Sequence, residues 1–402
     1  MRKPRILFVD DEELVLDAMN RSTRQMRHEW DIDFANSGSA ALRMMSEATF
    51  DVLVTDLSMP EMSGVELLAK VKERHPSVVR IVLSGDPDQD NPHKVAESAH
   101  QYLTKPCSSE VLHLTVQQAV ARRAELGNAN LKALVSKLGK LPSIPALYQK
   151  IMVQLQQPDT TLASIGEIIS KDMAMTTKLL QMVNSPFFGL TAKVSNPAHA
   201  CRLLGLETIK ALVLTSKIFS SFDDCPACLD VKMLWQHSLS VGIFAKTIAQ
   251  DAGIDLESRD AAFTAGLLHD IGKLILGKHL PTEYARATLL REQEGQSLAD
   301  AERTVFNSSH AEVGAYLIDL WGLPQQIGEG IANHHQPERQ SDTILSTSLV
   351  VHIANWMSHD LAGETDAASQ LNDDYLLALG LQDRIANWKA TCEQKNQHEL
   401  LL

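Results

Sequence analysis

The sequence predicts two folds in series. A doubly wound parallel α/β domain occupies residues 1–125, and an all-helical domain occupies residues 142–402, with a helical linker over 126–141. Two observations carry this division. Short β-branched runs alternate with amphipathic stretches only in the first 125 residues, and beyond them the apolar spacing is helical. A third observation sets the scale. The 402 residues are 44% apolar and 22% charged, which is enough to give each domain its own core.

The predicted strands are Ile6–Val9, Ile32–Ala35, Val52–Val54, Val78–Leu83 and Tyr102–Leu103. Runs this apolar suit parallel strands covered on both faces. Between them, Leu14, Ala18 and Met19, then Ala41, Leu42 and Met45, then Val65, Leu68 and Val71 mark helices. In such a sheet a ligand sits beyond the carboxyl ends of the strands. The residues that follow the runs are Asp10 and Asp11, then Asp56, then Ser84 and Gly85, and finally Lys105 and Pro106. Three carboxylates at one sheet edge repel each other, and a hard cation that keeps several waters, such as Mg²⁺, offsets that repulsion. Lys105 and Ser84 suit a tetrahedral anion, one as a charge and the other as a hydrogen-bond donor.

This constellation resembles the receiver domain of two-component response regulators, and the likeness spans all five strand ends. It implies a flavodoxin-like fold with a five-stranded sheet. Asp56 is then the phospho-acceptor, and Asp10, Asp11, Asp56 and the main-chain carbonyl of Ser58 form the Mg²⁺ site. Ser84 and Tyr102 are the switch residues, Lys105 binds the phosphate, and Pro106 follows a cis peptide. The loop Met59, Pro60 and Gly64 fits the same family, whereas Asp86–His93 is polar where a fourth helix would start.

Across the junction, Leu112, Val116, Ala119 and Leu126 form one helical stripe, and Leu131, Leu134, Leu138 and Leu141 form a second, offset by a residue. A short coiled coil between two chains and internal packing within one chain both fit, with the broken register favouring the second. Pro142 and Pro145 punctuate the entry to the second domain.

Helical periodicity alone names no family for the remainder. The phrases at 141–147 (LPSIPAL), 172–189, 200–214, 265–276 (AGLLHDIGKLIL) and 310–324 do, because they resemble the HDOD domain, an output module related to the HD phosphohydrolases. By that resemblance, His237, the pair His269 and Asp270, then His310, His334 and His335 stand where HD enzymes gather one or two metals, and Lys273 lies where a phosphate would meet it. Imidazole and carboxylate ligands suit a transition metal such as Mn²⁺, Fe²⁺ or Zn²⁺. Two departures oppose turnover: Asn355 replaces the late aspartate, and no Gly-Tyr-Pro follows His335. Cys225 and Cys228 form a lone CxxC, read as a loop carrying two thiols.

Composition narrows the rest. Lys and Arg number 37 against 50 Asp and Glu, a formal net charge of −13, which disfavours DNA and anionic membranes as partners. No window approaches the roughly 18 apolar residues of a bilayer span. The acidic run Asp10–Glu13 is foreign to a signal peptide, and five cysteines make no disulfide framework, so a cytoplasmic location is expected. The expected partners are a sensor histidine kinase, a downstream signalling protein and a second copy of the chain. The chain as a whole is not classed as an enzyme. The alternative is a phosphorylation-gated, metal-dependent phosphohydrolase.

Overall fold

Five of the apolar runs form five strands: β1 (Arg5–Val9), β2 (Asp31–Ala35), β3 (Val52–Asp56), β4 (Val79–Ser84) and β5 (Gln101–Thr104). All pairings are parallel and the order is β2-β1-β3-β4-β5. This is the flavodoxin-like order, in which ligands bind where the strand order reverses beside β1. The computed structural model describes residues 3–75, 78–84, 98–105, 107, 109–125, 129–138, 141–142, 144–155, 157, 159–185, 188, 190, 193–222, 229–340, 345–363 and 371–396. Gly85, the Asp86–His93 stretch, Pro106, Leu126, Cys225 and Cys228 lie outside those residues, as do the side chains of Ser84 and Tyr102.

By compactness the chain forms two units, residues 1–158 with 319–322, and residues 159–318 with 323–402. In the first unit, α1 (Glu13–Ser22), α2 (Gly38–Glu47), α3 (Gly64–Arg74) and α4 (Ser109–Glu125) accompany the sheet. The start of α3 is set locally. Ser63 Oγ accepts from the Glu66 amide, and Glu66 returns the bond to the Ser63 amide, which satisfies two otherwise orphan donors. Leu7, Leu53, Leu67, Leu68 and Val82 are fully buried between sheet and helices. Then come α5 (Ala129–Leu138) and α6 (Ala146–Leu155). Leu112, Val116 and Ala119 of α4 and Leu131, Leu134 and Leu138 of α5 are all buried, so both stripes at the junction pack within one chain.

Among the described residues the second unit has helices and no strand. They are α7 (Leu162–Ser170), α8 (Met173–Val183), α9 (Pro197–Leu204), α10 (Leu206–Ser220), α11 (Val231–Asp251), α12 (Leu256–Leu268), α13 (Ile271–His279), α14 (Pro281–Glu294), α15 (Leu298–Phe306), α16 (His310–Leu320), α17 (Gln325–Ala332), α18 (Thr347–Leu361), α19 (Asp373–Ala378) and α20 (Gln382–Asn396). The α11–α12 pair packs against α18, and Phe244, Phe263, Leu267 and Val351 fill the space between them. No helix among the described residues is long and apolar enough to cross a membrane.

One buried histidine ties the last two strands of the sheet. The Arg80 amide donates to His100 Nδ1 at 3.0 Å, so this nitrogen must stay unprotonated. Burial, then the nearby Arg80 and Lys72 charges, hold His100 well below the ordinary imidazole value of 6.5. A lowered folded value means that the unfolded chain takes up the proton first. The stabilisation is therefore complete above about pH 6.5 and is lost as pH falls below it toward the folded value. We expect His100→Asn to flatten this acid-side loss in urea melts of the chain run from pH 7.5 to 5. An unchanged pH slope would contradict the assignment.

Candidate functional site

The parallel register brings the first set of expected residues to one edge. Asp56 pairs with Leu83, and Ser84 with Thr104, so the residues that end β3 and β4 or follow β5 emerge side by side. Asp10 follows β1 and is 1% exposed, whereas Asp11 faces solvent. Lys105 Nζ bridges the buried carboxylates, at 2.7 Å from Asp10 Oδ2 and 2.5 Å from Asp56 Oδ1. The second oxygens are held by backbone: Asp10 Oδ1 by the Glu12 amide at 3.0 Å, Asp56 Oδ2 by the Ser58 amide at 2.7 Å. Burial works against the charge on Lys105, but the bonds to Asp10 and Asp56 outweigh it and raise the ammonium above its usual value. Among the described residues each of the four oxygens has one donor, which leaves lone pairs for a further partner. Asp10 and Asp56 present an all-oxygen donor pair that suits a hard divalent cation such as Mg²⁺, whereas Asp11 does not converge with them into one group of ligand atoms within 4.8 Å.

The loop beneath Asp56 leaves no spare room. A Cβ on Gly64 would lie 2.0 Å from the Asp56 carbonyl oxygen, so glycine is what lets the start of α3 rest on that strand end.

The second set also converges. His237 comes from α11, His269 ends α12, Asp270 and Lys273 open α13, His310 opens α16, and His334 with His335 follow α17. The described residues hold two groups of ligand-type atoms lying within 4.8 Å of one another: His237, His269 and Asp270 in one, His310, His334 and His335 in the other. Asp270 stands between the groups. Its Oδ2 is 3.3 Å from His269 Nε2 and 2.6 Å from Lys273 Nζ, and its Oδ1 is 3.3 Å from His310 Nε2.

The rings are oriented from behind. His269 Nδ1 meets the Gly266 carbonyl at 2.8 Å, and His334 Nδ1 meets the Ile331 carbonyl at 2.7 Å. A carbonyl only accepts, so these Nδ1 atoms carry the protons, and in the neutral ring the Nε2 atoms are bare lone pairs. Bare lone pairs are what a metal binds. His237 Nε2 faces His269 Nε2 at 3.2 Å, and His335 Nε2 faces His310 Nε2 at 3.0 Å. His334 Nε2 and Asp270 Oδ1 are buried without a hydrogen-bond partner among the described residues. Burial, reinforced by neighbouring imidazoles, holds His237, His334 and His335 well below the usual imidazole range. Burial opposes the charge on Asp270, yet His269 and Lys273 hold its carboxyl well below the usual carboxylate range. Neutral His237, His334 and His335 rings near an ionised Asp270 carboxylate suit the ligation of a transition metal.

Three contributors escape sequence reasoning. Glu302 of α15 contacts His310, Ser358 Oγ lies 3.1 Å from His237 Nδ1, and the His359 ring lies against the His237 ring with centroids 4.5 Å apart. Their separation in the chain leaves no local signal. Asn355, on the same helix as Ser358 and His359, is buried with its Oδ1 unpartnered among the described residues. A cavity of about 860 Å³ opens onto His237, Asp270 and Lys273 and is walled further by Arg291, Ser358 and His359.

The fold and the strand-edge acids together define a signal-receiving α/β module joined to a helical module with an HD-type histidine cluster. More closely, residues 6–117 match the response regulator receiver domain and residues 141–337 match the HDOD domain. It is 26% identical over 255 residues to an uncharacterized protein of Treponema pallidum, covering 62% of this chain and 48% of that one. It is 29% identical over 136 residues to a cyclic di-GMP phosphodiesterase of Thermotoga maritima, covering 33% of this chain and 36% of the other. The chain thus spans about half or less of the length of these curated relatives. An HDOD domain protein from Geobacter sulfurreducens, 23% identical, superposes with a TM-score of 0.54 over 68% of this chain and 99% of that one, which shows the shared helical fold.

The cluster depends on one close approach. A Cβ on Gly272 would lie 1.9 Å from the His310 carbonyl oxygen, so α13 can seat Asp270 beside His310 only with glycine there. We expect Gly272→Ala to destabilise the fold by about 1–3 kcal/mol through overpacking, read in denaturant melts. A change below 0.5 kcal/mol (about the effect of an ordinary surface substitution) would show that the contact is slack.

Proposed function

We propose that Asp56 accepts a phosphoryl group from a sensor histidine kinase and that the HDOD unit passes the signal on by protein–protein contact. The observation that carries this reading is the Lys105 ammonium clamped between Asp10 and Asp56 at the carboxyl edge of a 2-1-3-4-5 sheet. Asp10, Asp11, Asp56 and the Ser58 carbonyl would hold Mg²⁺, which when bound neutralises charge on the incoming phosphoryl oxygens. An Asp56 carboxylate oxygen attacks phosphorus as the bond to the donor imidazole breaks, leaving an acyl phosphate of about −2 charge. Lys105 already reaches Asp56, so the added charge draws it away from Asp10. Ser84 and Tyr102 complete the switch, and the altered face changes pairing with a second copy or with a downstream protein.

Two experiments test this reading. Asp56→Asn removes the attacking oxygen while keeping the side chain's shape, so labelling by acetyl phosphate should vanish while circular dichroism shows the fold intact. Persistent labelling would place the acceptor elsewhere. Pull-down with the beryllofluoride form should recover a partner profile different from that of the unmodified chain, and identical profiles would oppose the relay.

A second reading has its own support. The orphaned His334 Nε2 and Asp270 Oδ1, set among inward-facing imidazoles, favour a transition metal at the HD-type cluster and with it a metal-dependent phosphohydrolase. Such an ion when bound supplies an activated water or hydroxide. The Lys273 ammonium, which lines the cavity beside Asp270, would meet a phosphoryl oxygen. Asn355 in place of an aspartate is the feature that favours relay over turnover, since a neutral amide is the weaker ligand. Metal analysis of the purified chain, combined with hydrolysis of bis(p-nitrophenyl) phosphate, separates the readings. Stoichiometric metal with activity that His269→Ala abolishes would replace the relay, while metal without turnover fits it.

A further inference from the structure

Glu302 is the most deeply buried carboxylate near the histidine cluster, with no exposed surface, and the family resemblance assigns it nothing. It sits on α15, eight residues before His310. One oxygen, Oε2, accepts both the His310 backbone amide and His310 Nδ1, each at 2.6 Å. Its other oxygen, Oε1, is buried without a hydrogen-bond partner among the described residues. A buried carboxylate this poorly satisfied is costly unless a positive charge lies close. The His310 ring connects it to such a place. On the far side of that ring, Nε2 faces Asp270 Oδ1 at 3.3 Å and His335 Nε2 at 3.0 Å, in the group that also holds His334.

An imidazole brings a lone pair and no charge to a metal. A divalent cation among the three rings of this group brings two positive charges into a site where Asp270 supplies one negative charge and shares it with Lys273. Glu302 adds a second negative charge one ring away. A carboxylate behind a ligating imidazole fixes the tautomer, orients the ring and makes its free nitrogen more basic.

We propose that Glu302 is a positioning residue: it holds His310 with Nδ1 protonated and Nε2 bare, and it supplies through that ring the charge that retains a transition metal at His310, His334, His335 and Asp270. This inference rests on the metal-centre reading above and deepens it by dividing the cluster. The His310 group, braced by Glu302, is the retentive position. The His237 group, bordering the cavity, is the exchangeable one.

The test uses the full chain stripped with chelator and titrated with Zn²⁺ and with Mn²⁺ against a competing chelator. Wild type should take up metal, and Glu302→Gln, which keeps an acceptor for both N–H groups but removes the charge, should weaken the tighter class of sites about 10–100-fold. A nitrogen-15 spectrum of the metal-free histidine rings gives a readout that packing alone does not move. His310, assigned by its absence in His310→Asn, should show protonated Nδ1 in wild type and a mixed or reversed tautomer in Glu302→Gln. Wild type that binds neither ion overturns the metal-centre reading itself. Wild type that binds while Glu302→Gln binds equally well overturns only the role of Glu302. Should Glu302→Gln fail to fold by circular dichroism, the wild-type ring spectrum decides: Nδ1–H on His310 supports the role, and Nε2–H refutes it.

Discussion

A single ammonium group organises the front half of this protein. Asp10 and Asp56 would repel each other across the ends of neighbouring strands, and the Lys105 side chain, reaching in from beyond β5, makes their approach favourable. The contact spans residues far apart in sequence, so it exists only when β1, β3 and β5 lie in register. Folding of the sheet and assembly of the acidic pocket are therefore one event. The same attraction stores a response, because any charge added to Asp56 shifts the balance between the two carboxylates competing for one cation.

The rear half meets the opposite problem. It gathers imidazoles and one carboxylate where water is scarce, and it orients most of them through bonds made on the side away from the cluster. Gly266, Ile331 and Glu302 fix His269, His334 and His310 through Nδ1, and Ser358 meets His237 through the same ring atom. Orientation from behind costs little sequence specificity where a main-chain carbonyl does the work. It costs a dedicated acidic residue only at His310.

The sheet was legible because both of its faces are covered. Ile6–Val9 and Val52–Val54 read as strands from their unbroken apolar character, and the structure extends each by a residue or two. The acidic edge was legible because a parallel sheet sends the residues after its strands to one place. Helix faces were less so. Leu14 reads as part of the buried stripe of α1, yet it is 80% exposed, and no residue of that helix is fully buried. A short helix with apolar residues at 14, 15, 16, 18 and 19 does not define its inner face by spacing alone. In the helical unit, His237, His269, Asp270, His310, His334 and His335 were found through family resemblance, since periodicity shows only helix content. Glu302, Ser358 and His359 were invisible even so, because what makes them matter is helix packing.

The tight contacts at Gly64 and Gly272 carry an evolutionary corollary. Each glycine touches main chain rather than a reactive side chain, so selection on shape alone suffices to keep it. The imidazoles other than His310, which satisfies the buried Glu302, are under weaker architectural compulsion, since another buried residue of similar bulk would fill the same volume. Descendants of this scaffold that have abandoned chemistry should therefore keep both glycines while their histidines drift. In a lineage tree, loss of the rings without loss of the glycines would date the moment at which the rear module became purely mechanical.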